Sequence, residues 1–140
     1  MALTDNLISF WELEEATNTT RMDAVVLTGN DLASNAGVTQ QVGIVGNAAG
    51  FALASSQYLS RNSNSSLQFG NKDWTVCAWA YLNSMPASDM QVVSKQQSGA
   101  GEYSMVWKTG SSIFLLDVKA GSGTYAVSYT HLTLPTKRIV

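Results

Sequence analysis

Residues 74–82 constrain the fold of this chain more than any other stretch. They include no glycine, no proline and no charged residue, and most are aromatic, β-branched or small and apolar. With a period of two, one face of a strand would carry Trp74, Val76, Ala78, Ala80 and Leu82, and the other would carry Thr75, Cys77, Trp79 and Tyr81. Because such residues suit a pleated surface and neither face is plainly polar, the pattern predicts a central β-strand covered on both sides.

Turn-forming residues separate several further stretches that have strand character. We expect strands at residues 7–13, 24–27, 57–60 and 90–95, a strand with a tight bend at its glycines over 42–51, and a hairpin built from 102–108 and 112–119. No segment keeps a sustained helical period. The sequence therefore predicts an all-β fold, arranged as a sandwich or a barrel.

Composition excludes several classes of partner. The chain has 140 residues, with eight basic and ten acidic side chains and a net charge of −2. Because the basic residues do not cluster, we expect no nucleic-acid partner. No apolar run reaches the roughly 18 residues needed to span a bilayer, so we expect no membrane insertion. No signal peptide is visible at the N-terminus.

Cysteine and histidine each occur once. Cys77 has no partner for an internal disulfide, and its place in the predicted central strand indicates a small apolar filler. His131 lies in the last fourteen residues. The body of the chain therefore lacks the histidine that a catalytic triad or a histidine-bound zinc ion requires.

Several ordered blocks resemble the laminin-G-like domains of the concanavalin A-like lectin/glucanase superfamily. Residues 11–15, Trp-Glu-Leu-Glu-Glu, resemble the Trp-x-Leu-x-Glu opening of these domains, and Asp23 follows where the family often has Asp. Residues 43–51 resemble the block Gly-x-x-Gly-x-Ala-x-x-Phe, and 58–60 its next short strand. Residues 74–79 resemble the strand Phe-Thr-Val-Ser-Ala-Trp, with Trp in place of Phe and Cys in place of Ser. The resemblance covers residues 7 to about 118 and implies a jelly roll of two antiparallel sheets.

The usual length of the family and the sequence of the last fourteen residues together predict how the chain is divided. Members of the family usually have some tens of residues more, and residues 127–140 look like an in-frame translation of a transposase-type sequencing adaptor. We therefore expect residues 1–126 to form a C-terminally incomplete domain and 127–140 to be a non-native tail. Missing strands leave unpaired sheet edges, so the isolated chain is expected to be marginally stable or to aggregate.

The implied function is a non-catalytic binding or adhesion module, with a glycan as ligand, in a larger secreted, surface or virion protein. Tyr103 and Trp107 share a face of the predicted hairpin and could form an aromatic platform for sugar. Alternatively both are core residues, since Met105 lies between them. Laminin-G-like domains often bind calcium, and Asp23, Asn30 and Asp31 offer loop oxygens close in sequence.

Two other functions compete with glycan binding. The first is a structural or assembly module that contacts a neighbouring protein domain. The second is a glycoside hydrolase, since Glu12 and Glu14 would face one way on a strand and could serve as paired carboxyls. The third acid of the glucanase pattern is replaced by Ala16, and the resemblance places Glu15 at the family's structural acid. We therefore expect no enzymatic activity.

Overall fold

The computed structural model describes residues 6–25, 28–68, 73–84, 86–95, 102–110, 113–120 and 124–129. The chain divides into two compact units, Met1–Gln68 and Phe69–Val140. In the described residues all paired strands are antiparallel, and the helical structure consists of two 3₁₀ turns, Leu53–Ser55 and Ser65–Leu67. The predicted all-β class is confirmed.

The first unit contains two small antiparallel pairs. Strand β1 (Ala33–Asn35) pairs with β4 (Tyr58–Ser60), and β2 (Thr39–Val42) pairs with β3 (Asn47–Gly50). The β2–β3 hairpin closes where the Gly43 N–H donates to the Gly46 carbonyl at 3.0 Å, with Gly46 at a φ of 63°. The prediction of one bent strand over 42–51 is therefore wrong: the glycines form a turn between two strands, and the second strand is β3.

The second unit contains a four-stranded antiparallel sheet. Its order is β5 (Met90–Lys95), β6 (Tyr103–Lys108), β7 (Ile113–Ala120) and β8 (Thr124–Tyr129). Lys108 pairs with Ile113, which confirms the predicted hairpin, and the strand predicted at 90–95 is β5. The β5–β6 register shifts between Gln91 and Val93, as at a β-bulge.

Strand β6 is the most buried strand among the described residues. Residues of both its faces are enclosed, including Ser104, Val106 and Trp107, and Leu115 of β7 is buried beside them. The Trp107 and Phe114 rings meet edge to face with centroids 4.9 Å apart. The strand covered on both sides is therefore β6.

The prediction of a central strand at residues 74–82 is wrong. This segment runs without a bend or turn, but it belongs to no strand, and no main-chain hydrogen bond joins residues 75–82 to any described residue. Cys77, predicted to be buried, is exposed, and the side chains of Trp79 and Tyr81 are 100% and 84% exposed. Propensity and alternation show that a segment can pair, whereas pairing itself requires a neighbouring strand.

The strand predicted at residues 7–13 is also absent. The Phe10 main chain instead donates to the Asp23 carboxylate and accepts from the Ala24 N–H. Leu13 has a φ of 63°, which interrupts extended backbone. Of the strand predicted at 24–27, residues 24 and 25 are not in a strand, and 26 and 27 lie outside the described residues.

Strand β8 crosses the predicted boundary between residues 126 and 127. Its Val127 pairs with Asp117 and its Tyr129 with Leu115. Residues 130–140, including His131, lie outside the described residues. The assignment of residues 127–140 as a non-native tail stays a prediction.

Candidate functional site

Asp23, Asn30 and Asp31, which were predicted to bind calcium, lie together in the first unit. Asp23 Oδ1 accepts the main-chain N–H groups of Phe10 and Val25, both at 3.0 Å. Its Oδ2 accepts the Thr28 hydroxyl at 2.7 Å and the Asn30 N–H at 3.3 Å. Both oxygens of this buried carboxylate are therefore engaged by protein donors.

The surroundings of Asp23 favour its charged form. Burial alone raises the pKa of Asp23, but the hydrogen bonds from the Phe10 N–H, the Thr28 hydroxyl and the Val25 N–H outweigh burial and hold the pKa below its ordinary value. Asp31 supports the same loop, since its Oδ1 accepts the Asp23 N–H at 2.8 Å. The two carboxylates act as organisers of the loop main chain.

Asn30 is the centre of a second polar cluster. Its side chain is fully buried, and its Oδ1 accepts from Arg61 Nη1 at 2.5 Å, from Asn64 Nδ2 at 3.0 Å and from the Ser66 hydroxyl at 3.3 Å. Its Nδ2 donates to the Ser9 hydroxyl at 2.6 Å. These bonds join segments up to 36 residues apart, so Asn30 holds distant loops together.

The three residues predicted for calcium are therefore neighbours, but protein hydrogen-bond donors surround them. Within the described part of the chain, no group of three or more His, Cys, Asp or Glu side chains is placed to hold a metal ion. A calcium ion needs six to eight oxygen ligands. Calcium binding consequently stays a prediction of the resemblance.

The buried Arg21 and the partly exposed Glu15 form an ion pair, and of the two only Glu15 was singled out from the sequence. The Arg21 side chain is fully buried, and its Nη1 donates to the Ala16 carbonyl at 2.7 Å and to the Thr19 hydroxyl at 3.1 Å. Its Nε lies 3.9 Å from Glu15 Oε2, and Glu15 Oε1 accepts the Met22 N–H at 2.6 Å. Glu15 thus holds the Met22 main chain and faces Arg21, and its match to the family's structural acid stays a prediction. Nothing in the sequence identified Arg21.

The carboxyl pair of the hydrolase alternative lacks its expected strand. Glu12 and Glu14 are both exposed, and the positive φ of Leu13 between them breaks the alternation that would face them one way. The Glu14 carboxylate lies close to the α-carbon of Gly46, where a β-carbon would collide with it. Glu14 therefore packs over the β2–β3 turn.

Tyr103 and Trp107, the predicted aromatic platform, are enclosed in the second unit. They are 7% and 8% exposed. The Tyr103 ring stacks on Trp74 with centroids 6.0 Å apart, and Trp107 packs against Phe114. Burial, followed by the nearby Glu102 charge, raises the pKa of Tyr103. This environment matches the core alternative for both residues.

Two other aromatic residues of the second unit are open. Trp79 and Tyr81 are almost fully exposed, and they stand two residues apart in an unbent segment. Residues at that spacing present side chains to the same side, about 7 Å apart. The period-two pattern of the sequence places Trp79 and Tyr81 on one face of the segment and Trp74, Val76 and Leu82 on the other. This division between the two faces was the sequence signal that could have identified the exposed pair.

No protein-family model matches this sequence, and no similar chain is found among curated proteins or among solved structures. The laminin-G-like resemblance therefore rests on the sequence blocks alone. Among the described residues, no helix has the length and apolarity needed to span a bilayer.

Proposed function

We propose that this chain is a non-catalytic binding module for glycans, with Trp79 and Tyr81 as its aromatic platform. The observation that carries the proposal is the exposure of these two rings, 100% and 84%, on one unbent segment. A large aromatic ring left entirely in water is unfavourable for a chain on its own, since burying it is worth roughly 1.5–3 kcal/mol. Exposed aromatic side chains are therefore candidates for ligand contact.

The chemistry of the two rings suits a sugar. An aromatic face carries partial negative charge, and the C–H groups of a pyranose ring carry partial positive charge, so the two surfaces are complementary. Rings about 7 Å apart can contact one saccharide or two adjacent residues of an oligosaccharide. The tips of Trp79 and Tyr81 also supply an N–H and an O–H for sugar hydroxyls.

Charge narrows the class of glycan. Residues 74–82 include no lysine or arginine, so the platform offers no cation for a sulfate or a carboxylate. Asp73, which precedes the segment and is exposed, supplies a carboxylate that accepts hydrogen bonds from neutral sugar hydroxyls. We therefore assign neutral oligosaccharides and polysaccharides as the ligand class.

The test is a screen of the full chain against neutral and sulfated polysaccharides, by glycan array and by affinity electrophoresis. Trp79→Ala and Tyr81→Ala should each weaken binding at least about tenfold, or about 1.4 kcal/mol. Tyr58→Ala is the matched control, because Tyr58 is also exposed but lies in the first unit. Preserved binding in Trp79→Ala, or binding to sulfated ligands alone, would contradict the proposal.

A further inference from the structure

We infer that residues 74–82 form a self-association edge, through which two copies of this chain pair as antiparallel strands. The segment is unbent, its residues have strand propensity, and residues 75–82 make no main-chain hydrogen bond to any described residue. Unpaired N–H and C=O groups along an unbent segment are a template for strand addition. This inference goes beyond glycan binding, because it uses the main chain of the segment and not its rings.

The composition of the segment selects a second copy as the occupant. Native edge strands avoid self-pairing by means of lysine, other charges, proline or bulges. Residues 74–82 contain none of the first three. Two identical uncharged segments can therefore lie side by side without opposing like charges, which would destabilise a cross-strand pair.

Two-fold symmetry fixes the direction of pairing, and the register of the proposed pair is centred on Ala78, the midpoint of residues 74–82. In a closed pair of identical chains each contact occurs twice, so antiparallel strands cross at a shared centre. With that centre at Ala78, Cys77 of one copy lies opposite Trp79 of the other, and Thr75 lies opposite Tyr81. Both are pairs of a small or β-branched residue with an aromatic residue, which favours cross-strand packing. The two aromatic platforms would also lie on one face of the pair.

The anchoring of the segment is consistent with this role. The Trp74 ring stacks on Tyr103 of β6, so the segment starts from the enclosed part of the second unit. Beyond Val76 the side chains from Cys77 to Tyr81 are all exposed. One strand pair buries less surface than the 1,200 Å² or more of stable interfaces, so the pairing should be weak and concentration-dependent.

The first test is sedimentation velocity of the full 140-residue chain over a concentration series. The series extends to about 1 mM, so that a dimer with a dissociation constant in the millimolar range is still detected. We expect reversible growth from monomer to dimer. Ala78→Lys and Ala78→Asp should each remain monomeric, because each places two like charges at the two-fold centre. An equimolar mixture of these two variants should regain the dimer, because opposite charges then face each other.

Ile44→Lys is the matched control for non-specific association through exposed apolar side chains. Ile44 is 94% exposed on the β2–β3 turn of the first unit, and a charge there should leave association unchanged. A wild-type chain that stays monomeric throughout the series, or a mixture of the Ala78 variants that does not associate, would overturn the inference. Dimerisation lost equally in Ile44→Lys would overturn it as well.

Cys77 provides a second readout, since it is exposed and is the single cysteine of the chain. In the antiparallel pair the two Cys77 α-carbons lie about 8–9 Å apart, from strand spacing and rise. A nitroxide on Cys77 should show dipolar broadening that increases with concentration and disappears when labelled chain is diluted with unlabelled chain. A single exchange-narrowed line would mean parallel in-register stacking and would refute the closed dimer.

The outcomes separate this inference from glycan binding. Ala78→Lys should abolish dimerisation while Trp79 and Tyr81 remain available to sugar. Trp79→Ala should weaken sugar binding at least about tenfold while the main chain of the segment remains able to pair. A wild-type chain that binds glycan but does not dimerise would therefore refute this inference alone, and one that dimerises but binds no glycan would refute the proposed function alone.

Discussion

Replacing Asp23 by Asn tests whether its carboxylate organises the first unit. The substitution preserves shape but removes the charge and replaces one acceptor oxygen with an NH₂ group. Asp23 accepts the N–H groups of Phe10, Val25 and Asn30 and the hydroxyl of Thr28. Of these partners, only the Thr28 hydroxyl can turn round and accept from the new NH₂ group. The asparagine should therefore keep its oxygen towards Phe10 and Val25.

The magnitude follows from these four bonds. Hydrogen bonds to a charged group contribute about 1.5–3 kcal/mol and neutral ones about 0.5–1.5, so the two retained bonds lose about 1 kcal/mol each. The Asn30 N–H loses its acceptor, which costs about 1 kcal/mol more for a bond of 3.3 Å. We expect Asp23→Asn to lower the free energy of unfolding by about 3 kcal/mol, a large part of the total stability of a small unit.

Chemical denaturation and hydrogen exchange measure this loss. A change of about 3 kcal/mol corresponds to roughly 150-fold faster exchange for the amides of Phe10, Val25 and Asn30 if they exchange by opening of the unit. Asp31→Asn is the control, because Asp31 accepts one N–H through Oδ1 and asparagine can keep that bond. An Asp23→Asn effect below about 1 kcal/mol, or equal to that of Asp31→Asn, would refute the reasoning.

The pH dependence of stability tests the direction of the Asp23 pKa shift independently. Because the folded pKa of Asp23 is below its ordinary value of 3.8, its contribution to stability is present above that pH and is lost as pH falls through the folded pKa. The difference in stability between wild type and Asp23→Asn should therefore be constant near neutral pH and shrink below about pH 3.8. A difference that grows on acidification would contradict the assigned direction of the pKa.

Further predictions concern other parts of the molecule. Trp107→Ala should cost about 3–5 kcal/mol in a denaturant titration, because Trp107 is buried in the sheet core. Gly46→Ala should cost about 1–2 kcal/mol in the same assay, because Gly46 has a φ of 63° and a β-carbon would meet the Glu14 carboxylate. The hydrogen bond and charge of Asp89 raise the pKa of Lys108, so an NMR titration should show that pKa falling towards 10.5 in Asp89→Asn. If calcium binds as the resemblance implies, the melting temperature should be higher in calcium than in chelator, and equal values would contradict that prediction.

Local signals in the sequence were sufficient for one hairpin and for the turn of the other. The glycines at 43 and 46 indicated a tight bend, and the structure closes β2 and β3 around them. The alternating arms on either side of residues 109–111 indicated a hairpin, and β6 pairs with β7 in that register. In both cases the partner strand is only a few residues away, so the turn and the alternation define the pairing.

Part of the polar core could also be predicted from the sequence. Asp23, Asn30 and Asp31 were identified from the sequence as neighbouring loop oxygens, and the structure brings them together. Their hydrogen-bond donors were not predictable, because the bond from Asn30 to Ser66 spans 36 residues. Arg21 was missed because nothing in the sequence marks an arginine that tertiary packing buries completely.

The two tryptophans at 79 and 107 show what only the tertiary structure decided. Both lie in apolar stretches with strand alternation, and the sequence placed the central strand around Trp79. In the structure Trp107 is buried because β6 has β5 and β7 on either side, whereas Trp79 is open because its segment pairs with no described residue. The sequence by itself determined only that both stretches have strand propensity, since propensity is local, and of the two only the stretch around Trp107 forms a strand. The tertiary structure decided which one lies inside, because burial depends on the neighbours that a strand acquires.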